Sequence, residues 1–409
     1  MPCASSNGWI SMMEEVEFLV VGCGPAGGVA AREAARGGAS TIVLEKDRVV
    51  GAKRVCAAGL RPGFCQTFDL PRALVHCDTP RLGLFDLSGH EHELYFGPGH
   101  TTTREELDGE IGRLAACEGA EIRTGALFRS YERQGNWTIV EYADMQSGER
   151  RRIAARNLFL AQGATATLDN DDCFGFDKWR EGLLTTLQYR VYLPQPAKAI
   201  AYQTLELHYY LTGEGRQIIG WMFPKLDHLA IGLGVRGKMP GAQLRAELRS
   251  FEERIRTRLY PGAQATLKEE GHLLYGGHPR PRVASEGAMV GGTAAGLVDA
   301  TNGEGIFEAA FSGRLAAEAV VVQRGRPAAA AAGYGRALRD RFFGRLEHRV
   351  TLMSFLERRP ARFGVLFEQL ARTPRFAEAL LRESHERSFG DRMFLWSQAL
   401  RLVLRAANA

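Results

Sequence analysis

A doubly wound α/β domain, assembled from separated stretches of chain and carrying an inserted antiparallel β-sheet and C-terminal helices, is the fold class this sequence predicts. Three observations predict it. A strand–turn–helix–strand unit punctuated by glycines fills residues 17–45, a second Gly-rich turn enters a helix near residue 306, and strand-like alternation dominates residues 205–234. With 409 residues, 45% of them hydrophobic and 24% charged, the composition is globular and the length suits two or three domains of about 100–200 residues. A formal charge of +5 is too small to imply nucleic-acid binding without a clustered basic face, so no nucleic-acid partner is expected. Seven cysteines without a C-x-x-C pair imply neither a disulfide framework nor a thiolate zinc site. A reducing, cytoplasmic setting is therefore expected.

The first unit is the most informative. Glu17-Phe-Leu-Val-Val-Gly22 reads as a buried strand, Gly22-Cys-Gly24-Pro-Ala26-Gly27 as a G-x-G-x-x-G turn, and Val29 to Arg36 as a helix closed by Gly37-Gly38. Thr41-Ile-Val-Leu44 is a second strand, ended by Glu45 and Lys46. Gly22 permits the tight turn, Gly24 lets the backbone approach a pyrophosphate, and Gly27 brings helix and strand together. The phosphates then meet the open N–H groups of the helix N-terminus. Glu45 can accept from both hydroxyls of an adenosine ribose and would repel a 2′-phosphate, which favours FAD or NAD over NADP. A turn that used glycine only to reverse the chain would not need strand, helix, second strand and terminal acid all in register. The unit is read as a Rossmann-type dinucleotide site.

Two later segments bear on which dinucleotide. Thr103-Arg104-Glu-Glu-Leu107-Asp108 opens a helix to Cys117, and Gly119 to Arg123 returns to a strand. Gly291-Gly292-Thr293-Ala-Ala-Gly296-Leu-Val-Asp299-Ala-Thr-Asn302-Gly303-Glu304-Gly305-Ile306 leads into a helix from Phe307 to Val322. Two Gly-rich turns that each aim a helix N-terminus at a ligand suit one long cofactor, with adenosine at the first and flavin plus ribityl at the second.

At this point the residues resemble the geranylgeranyl reductase family, within the wider group of flavoproteins shaped like the aromatic hydroxylases. Gly220-Trp221-Met-Phe223-Pro224 followed by Leu229-Ala-Ile-Gly232-Leu-Gly234 is similar to the family's Y-x-W-x-F-P signature and its V-G-x-G strand. Gly303-Glu304-Gly305-Ile306 with Ser312-Gly313-Arg-Leu-Ala-Ala resembles T-G-E-G-I and S-G-R-x-A-A. Cys56-Ala-Ala-Gly59-Leu resembles the C-G-x-G-[IL] loop, and Arg104 with Leu107-Asp108 the R-x-x-[FL]-D helix. The likeness runs from Phe18 to about Val322. It departs at Gln162 and Thr293, where the family carries carboxylates, and at Ile219 in place of the signature tyrosine. Gln162 and Thr293 can hydrogen-bond without charge, so the departure bears on flavin affinity and redox tuning more than on the fold.

The resemblance implies an FAD-dependent reductase that saturates C=C bonds of a polyprenyl chain. Reduced flavin would supply the hydride, and the protein a dry pocket for the alkene. Trp221 and Phe223, on alternate positions of one strand, share a face and would wall the flavin as part of an antiparallel sheet roofing it, with a turn at Gly213-Glu-Gly215. Arg104 would help to hold the cofactor. Cys56, in a Gly-containing loop beside Lys53 and Arg54, is the candidate proton donor or substrate gate, or else a small residue filling a gap. NAD(P)H docking transiently, or a ferredoxin-type redox partner protein, would supply electrons. Glu304 either orients backbone near the ring or favours the helix start. His90, His92 and His100 lie in or beside a hairpin-like stretch, Leu87 to Phe96, without an evident fourth ligand, so no metal is expected.

Between Arg324 and Ala409 there are 17 arginines, no lysine and eight acids, a net +9. Helices are expected over 336–357, 361–372, 375–387 and 391–407, separated in the middle by Pro360 and Pro374. Apolar Leu400, Val403 and Leu404 recur at helical spacing, so these basic helices either touch an anionic membrane peripherally, at the inner face of the cytoplasmic membrane, or pack on the body with a solvated arginine face. No signal or spanning segment is apparent, and Met12-Met13 suggests a native start that would leave Met1 to Ser11 as a disordered leader. The expected division is an FAD domain at 14–75, 101–165 and 270–325, a substrate sheet at 76–100 and 166–269, and a helical region at 326–409. The rivals are a flavin monooxygenase or halogenase on the same scaffold and a non-catalytic flavin or lipid binder. A halogenase would want a W-x-W-x-I-P run and a catalytic lysine between flavin and substrate, and Gly220 to Pro224 lacks that run.

Overall fold

A computed structural model describes residues 13–407 apart from 53–55, 80, 86–90, 95–98, 167, 169–170, 195–202, 213–215, 360 and 382–387. The expected leader, Lys53, Arg54, His90 and the Gly213–Gly215 turn lie outside the described residues. The apolar run of the first strand, β1 (Glu14–Val21), is buried from Phe18 onward, as a strand covered on both faces must be. It sits inside an eight-stranded sheet with β2 (Thr41–Glu45), β8 (Glu121–Thr124), β11 (Arg150–Leu160), β17 (Ala284–Ser285) and β18 (Ala288–Val290), in the order β17-β18-β11-β1-β2-β8. Strands β9 (Ala126–Gln134) and β10 (Trp137–Asp144) extend it antiparallel from β11. β18, β11, β1, β2 and β8 run parallel. The chain leaves β1 towards β2 on one side and returns to β11 on the other, so the topological switch point falls between β1 and β11.

The register sharpens that point. Val21 pairs with Leu160, and Leu160 with Val290, so three strands end level. The turns that follow them, Gly22–Gly27, Ala161–Gly163 and Gly291–Gly296, therefore share one edge of the sheet. Helix α1 (Pro25–Arg36) starts with proline in its first turn, where a missing N–H costs nothing. It packs on α5 (Ile306–Val322) so tightly that a Cβ at Gly313 would collide with Ala26 O. Helix α3 (Arg104–Cys117) lies along its other side, begun by the Thr103 hydroxyl accepting from Glu106 N and by Glu105 and Glu106 in the first turn. Short helix α2 (Phe64–Thr67) packs Phe64 and Phe68 on Phe307 of α5.

A second sheet runs β16 (Thr266–Tyr275), β12 (Leu183–Tyr192), β15 (Leu229–Arg236), β14 (Gln217–Pro224), β13 (Thr204–Leu211), β5 (Arg81–Phe85), β6 (Glu91–Leu94), antiparallel except for β13 with β5. Alternation divides β14. Ile218 and Met222 join Leu248, Phe251 and Ile255 of α4 (Gly241–Leu259), whereas Ile219, Trp221 and Phe223 join the opposite core. A small sheet of β3 (Gly59–Leu60), β7 (Gly99–Thr101) and β4 (Cys77–Thr79) comes from the stretch of chain between β2 and β8.

The C-terminal helices begin earlier than expected. α6 (Pro327–Leu338) runs through a π-helical turn at Arg339–Phe343 into α7 (Gly344–Glu357), because Pro327 suits a first helical turn and the alanines after it are strong helix formers. α8 (Ala361–Arg372), α9 (Pro374–Leu381) and α10 (Phe389–Ala407) follow, with Pro374 opening a helix instead of standing between two. No helix among the described residues is long and apolar enough to cross a membrane.

Candidate functional site

Glycines build the edge where the three level strands end. Gly22 has φ +94°, and a Cβ there would lie 2.6 Å from Ala161 O, so the first and second turns touch through bare backbone. Gly292, at φ +58°, places its Cβ position 3.0 Å from Ala26 Cβ and 3.3 Å from Ala309 Cβ, so the third turn meets the first across the start of α5. The two Gly-rich turns thus meet at one edge of the sheet. Neither α1 nor α5 has a side-chain cap on its N-terminus, and α1 has no acid in its first turn, which leaves N–H groups for an anionic ligand. The buried Gln162 Oε1 has no hydrogen-bond partner among the described residues, an orphan that a ligand donor would satisfy. These features fit an extended dinucleotide, and FAD fits both turns at once.

The other residues expected to hold the cofactor gather there unevenly. Glu45 Oε2 accepts from Cys23 N at 2.7 Å and Oε1 from Asp47 N at 3.0 Å. Burial pushes its carboxyl above the ordinary value, against those two amides. Lys46 is exposed beside it. Arg104 is buried and grips Asp108 through Nε and Nη2 at 2.6 to 3.1 Å, and its Nη2 lies 3.4 Å from the Cβ position of Gly24. The Cys56 side chain lies beside it. Thr293 lies in a 3-10 turn, Gly292–Ala295, closed by Gly296 in the left-handed region. Gly303 N returns to Asp299 O at 2.8 Å, Gly305 caps α5, and Ile306 packs on the Phe64 cluster. His100, from the metal pattern considered above, pairs with Asp78 at 2.6 Å.

Phe223 rests on the turn that carries Cys56. A Cβ at Gly59 would be 2.8 Å from its ring. Trp221 is 9% exposed, donates from Nε1 to Gln188 Oε1 at 3.0 Å, and covers Gly232. Trp221, Phe223, Ala57 and Ala300 belong to one apolar cluster, which joins the aromatic strand, the Cys56 turn and the ring-end loop. That cluster continues into a cavity of about 110 Å³ between the second sheet and α7 and α8. Its lining includes Leu84, Leu207, Tyr209, Met353 and Phe367, with Thr301 and Asn302 at the ring-end loop. Because a Cβ at residue 232 would enter the Trp221 ring, Gly232→Ala is expected to displace that ring and lower stability by about 1–3 kcal/mol. Indole emission and urea unfolding check this, and unchanged values in both would contradict it.

Two features escaped the sequence reading. Lys225, directly after Phe223-Pro224, is 1% exposed, and its Nζ donates to Ala57 O and, at 3.3 Å, to Ala58 O. Ala58 has φ +46°, a strained value for a residue with a Cβ, and its carbonyl also accepts from Thr102 N at 3.0 Å. Lys225 therefore clamps the Cys56 turn. One signal was present: it is one of only seven lysines in a chain with 45 arginines, and it abuts the aromatic motif. Burial lowers its pKa from the ordinary 10.5 to about 7; Arg190 adds to this, while Cys56, Cys77 and Glu105 oppose it.

Below about pH 7 both folded and unfolded chains hold the Lys225 proton, and the cost of burying the charge is complete. Between about pH 7 and 10.5 the unfolded chain binds the proton and the folded one does not, so stability rises with pH by about 1.4 kcal/mol per unit. Denaturant unfolding from pH 6 to 9 is expected to show the native protein gaining on Lys225→Met above neutrality, with cysteine ionisation common to both. Parallel curves would contradict it.

The second feature is a charged network behind the ring-end loop. Arg61 pairs with Glu304 and Glu308, Arg345 with Glu308 and with Asp299 at 3.5 Å, and Arg349 with Asp299 at 3.3 Å. Burial opposes the Asp299 carboxylate, but Arg349, the Thr301 hydroxyl and amide, and Arg345 outweigh it and hold its pKa below the ordinary value. Glu304 therefore serves an ion pair with Arg61, and α7 turns Arg345 and Arg349 inward, away from any solvated or lipid-facing basic surface.

Comparison with known proteins follows the same outline. No family model matches the chain. It is 31% identical over 339 residues to the chloroplastic geranylgeranyl diphosphate reductase of Oryza sativa, covering 78% of this chain and 69% of that protein. It is 27% identical over 323 residues to the geranylgeranyl diphosphate reductase of Synechocystis, covering 75% of each. Among solved structures, a geranylgeranyl bacteriochlorophyll reductase-like protein of Thermoplasma acidophilum superimposes with a TM-score of 0.74 at 20% identity, covering 97% of this chain and 99% of that one. The doubly wound architecture is thus shared along nearly the whole length.

Proposed function

The chain belongs to the geranylgeranyl reductase family, and from that membership we propose that it is an FAD-dependent reductase saturating C=C bonds of a polyprenyl lipid or quinone side chain. The observation that carries this reading is the continuity of the site. The two Gly-rich turns meet at one sheet edge, and the apolar cluster of Trp221 and Phe223 extends to the lining of an apolar cavity. When bound, FAD would supply the hydride from its reduced flavin ring.

The chain's own residues supply the rest. Glu45 and Gly22, Gly24, Ala26 and Gly27 receive the adenosine and pyrophosphate, assisted by Arg104. Gly292, Thr293, Gly296, Gly303, Gly305 and Ile306 frame the ring end. Trp221 and Phe223 exclude water above it, and the leucines, Met353 and phenylalanines of the cavity receive the hydrocarbon, their flexible side chains parting to admit a longer chain. Cys56 holds a proton at Sγ on the turn beside this cluster and delivers it to one carbon of the double bond as the hydride reaches the other, and water returns a proton to the thiolate. Lys225 positions that turn; its Nζ is committed to Ala57 and Ala58 carbonyls, so it does not supply the cavity lysine a halogenase would use. Electrons come from NAD(P)H or a ferredoxin-type donor, an FAD domain at 14–75, 101–165 and 270–325 works with a substrate sheet at 76–100 and 166–269 and a helical region at 326–409, and the protein meets its substrate peripherally at a cytoplasmic membrane surface.

The test is mass spectrometry of isoprenoid lipids from cells with and without the gene. A gain of two hydrogens per event supports reduction. Addition of an oxygen atom points to a monooxygenase, and an unchanged lipid profile to a non-catalytic binder; either overturns the reading.

A further inference from the structure

Among the described residues, six of the large apolar side chains left exposed lie on one helix, α10: Phe389, Met393, Trp396, Leu400, Val403 and Leu404. The remaining exposed ones, Val49, Met145, Leu226, Leu267 and Val322, are scattered singly over other elements. At 3.6 residues per turn the six fall within an arc of about 100°. The opposite face of α10 is already used: Leu402 and Gln398 are buried there with Phe394 and Leu395 partly so, and Gln398 accepts from Gln369 Nε2 of α8 through both its carbonyls at 2.9 Å. The helix is thus apolar on two sides, and only one is covered. Phe389 at 79% and Trp396 at 75% exposure are far from the pattern of a surface that meets only water.

The flank of this stripe is basic. Between α8 and α10 lies a hollow of about 300 Å³ lined by Arg372, Arg401, Arg405, Gln369, Gln398 and Leu404. Arg372 and Arg405 share one carboxylate, Glu368, at 2.6 and 2.7 Å, so the hollow keeps an excess of positive charge. An apolar stripe with a tryptophan near its middle and guanidinium groups at its edge matches the layering of a bilayer surface, acyl chains below and anionic headgroups beside. The position also suits a lipid substrate. The far side of α8 carries Phe363, Leu366, Phe367 and Leu370 into the apolar cavity, so α8 alone separates α10 from the proposed substrate chamber.

We propose that α10 is a membrane-docking face that lies in the surface of an anionic bilayer, with lipid headgroups received in the Arg372–Arg401–Arg405 hollow. The lipid-reductase reading gives this surface its purpose, but the surface is tested without turnover, so either can fail alone.

The full chain is sedimented with vesicles of pure phosphatidylcholine and of equimolar phosphatidylcholine and phosphatidylglycerol, and indole emission is recorded. Binding to the anionic vesicles is expected, with a blue shift that disappears in Trp396→Phe. The double variant Met393→Glu, Leu400→Glu is expected to bind at least about tenfold more weakly, and Arg401→Glu, Arg405→Glu to lose the preference for anionic lipid. Both pairs sit on exposed positions, and an unchanged circular dichroism spectrum and bound flavin show that the variants are folded. Failure of the native protein to bind anionic vesicles, or undiminished binding by the folded Met393→Glu, Leu400→Glu variant, would overturn the proposal. So would a native dimer that dissociates in that variant, because a second copy would then be the occupant of the stripe.

Discussion

Gly27→Ala is expected to yield a protein that purifies without flavin and unfolds at markedly lower denaturant. A Cβ at residue 27 would run into Gly22 O and lie 3.0 Å from Val20 Cγ1, so the atoms in its way are backbone and a buried strand. Neither can rotate aside. To relieve the clash α1 would have to lift from β1, and α1 is also held on its far side, where Gly313 lets α5 rest on Ala26 O. The helix N-terminus that receives the pyrophosphate would therefore shift relative to both β1 and the third Gly-rich turn. The loss should reach about 3 kcal/mol or more, at the upper end of what overpacking produces. Gly28→Ala is the control. Its Cβ meets the Ile111 Cγ2 methyl at 2.6 Å, a side-chain end that can move, so a smaller loss with flavin retained is expected. Flavin absorbance and urea unfolding of the two variants check the contrast, and equal behaviour would contradict it.

That glycine was legible before the fold was known because its requirement is local: strand, turn and helix are adjacent in sequence, and each residue's role follows from backbone geometry. The same holds for Glu45, for the Gly303–Gly305 turn, and for Trp221 and Phe223, whose alternation alone places them on one face. The Arg61–Glu308–Arg345 network had no such signature. Its members come from the segment after β3, from α5 and from α7, and no spacing rule connects charges so distant in the chain. Reading α7 as part of a basic tail was the natural consequence, since arginine content says nothing about which guanidinium groups turn inward. Lys225 was missed for a related reason. Composition assigns lysine to the surface, and only the packed structure shows it beneath the Cys56 turn. The start of α6 was missed because its alanine run carries no amphipathic pattern.

Glu308→Ala is expected to destabilise the protein by about 3–5 kcal/mol, the cost of leaving buried charge without its counterpart. Glu308 is 0% exposed and accepts from both Arg61 and Arg345, so its removal takes a carboxylate from two guanidinium groups at once. Arg345 is itself buried and would be left facing Asp299 at 3.5 Å. Glu308→Gln keeps the shape and an acceptor oxygen but not the charge, and should fall between the native protein and Glu308→Ala. Adding Arg345→Met to Glu308→Gln removes one of the stranded cations, and should recover part of the loss. Because the network backs the ring-end loop through Asp299 and Glu304, flavin affinity should weaken in the same order as stability. Denaturant midpoints and flavin titrations across the four proteins check this; a double variant less stable than Glu308→Gln alone would contradict it.

The clasp between α1 and α5 also sets when the protein can come into being on the ribosome. Ala26 emerges early and Gly313 only after most of the chain has been made, and β18, which brings the third turn level with the first, is likewise late. A nascent chain thus exposes the apolar surface of β1 and α1 for most of its synthesis, without the partner that completes the sheet edge. The place where a coenzyme would be held is therefore complete only once α5 has been made, and the apolar surfaces of β1 and α1 wait uncovered until then.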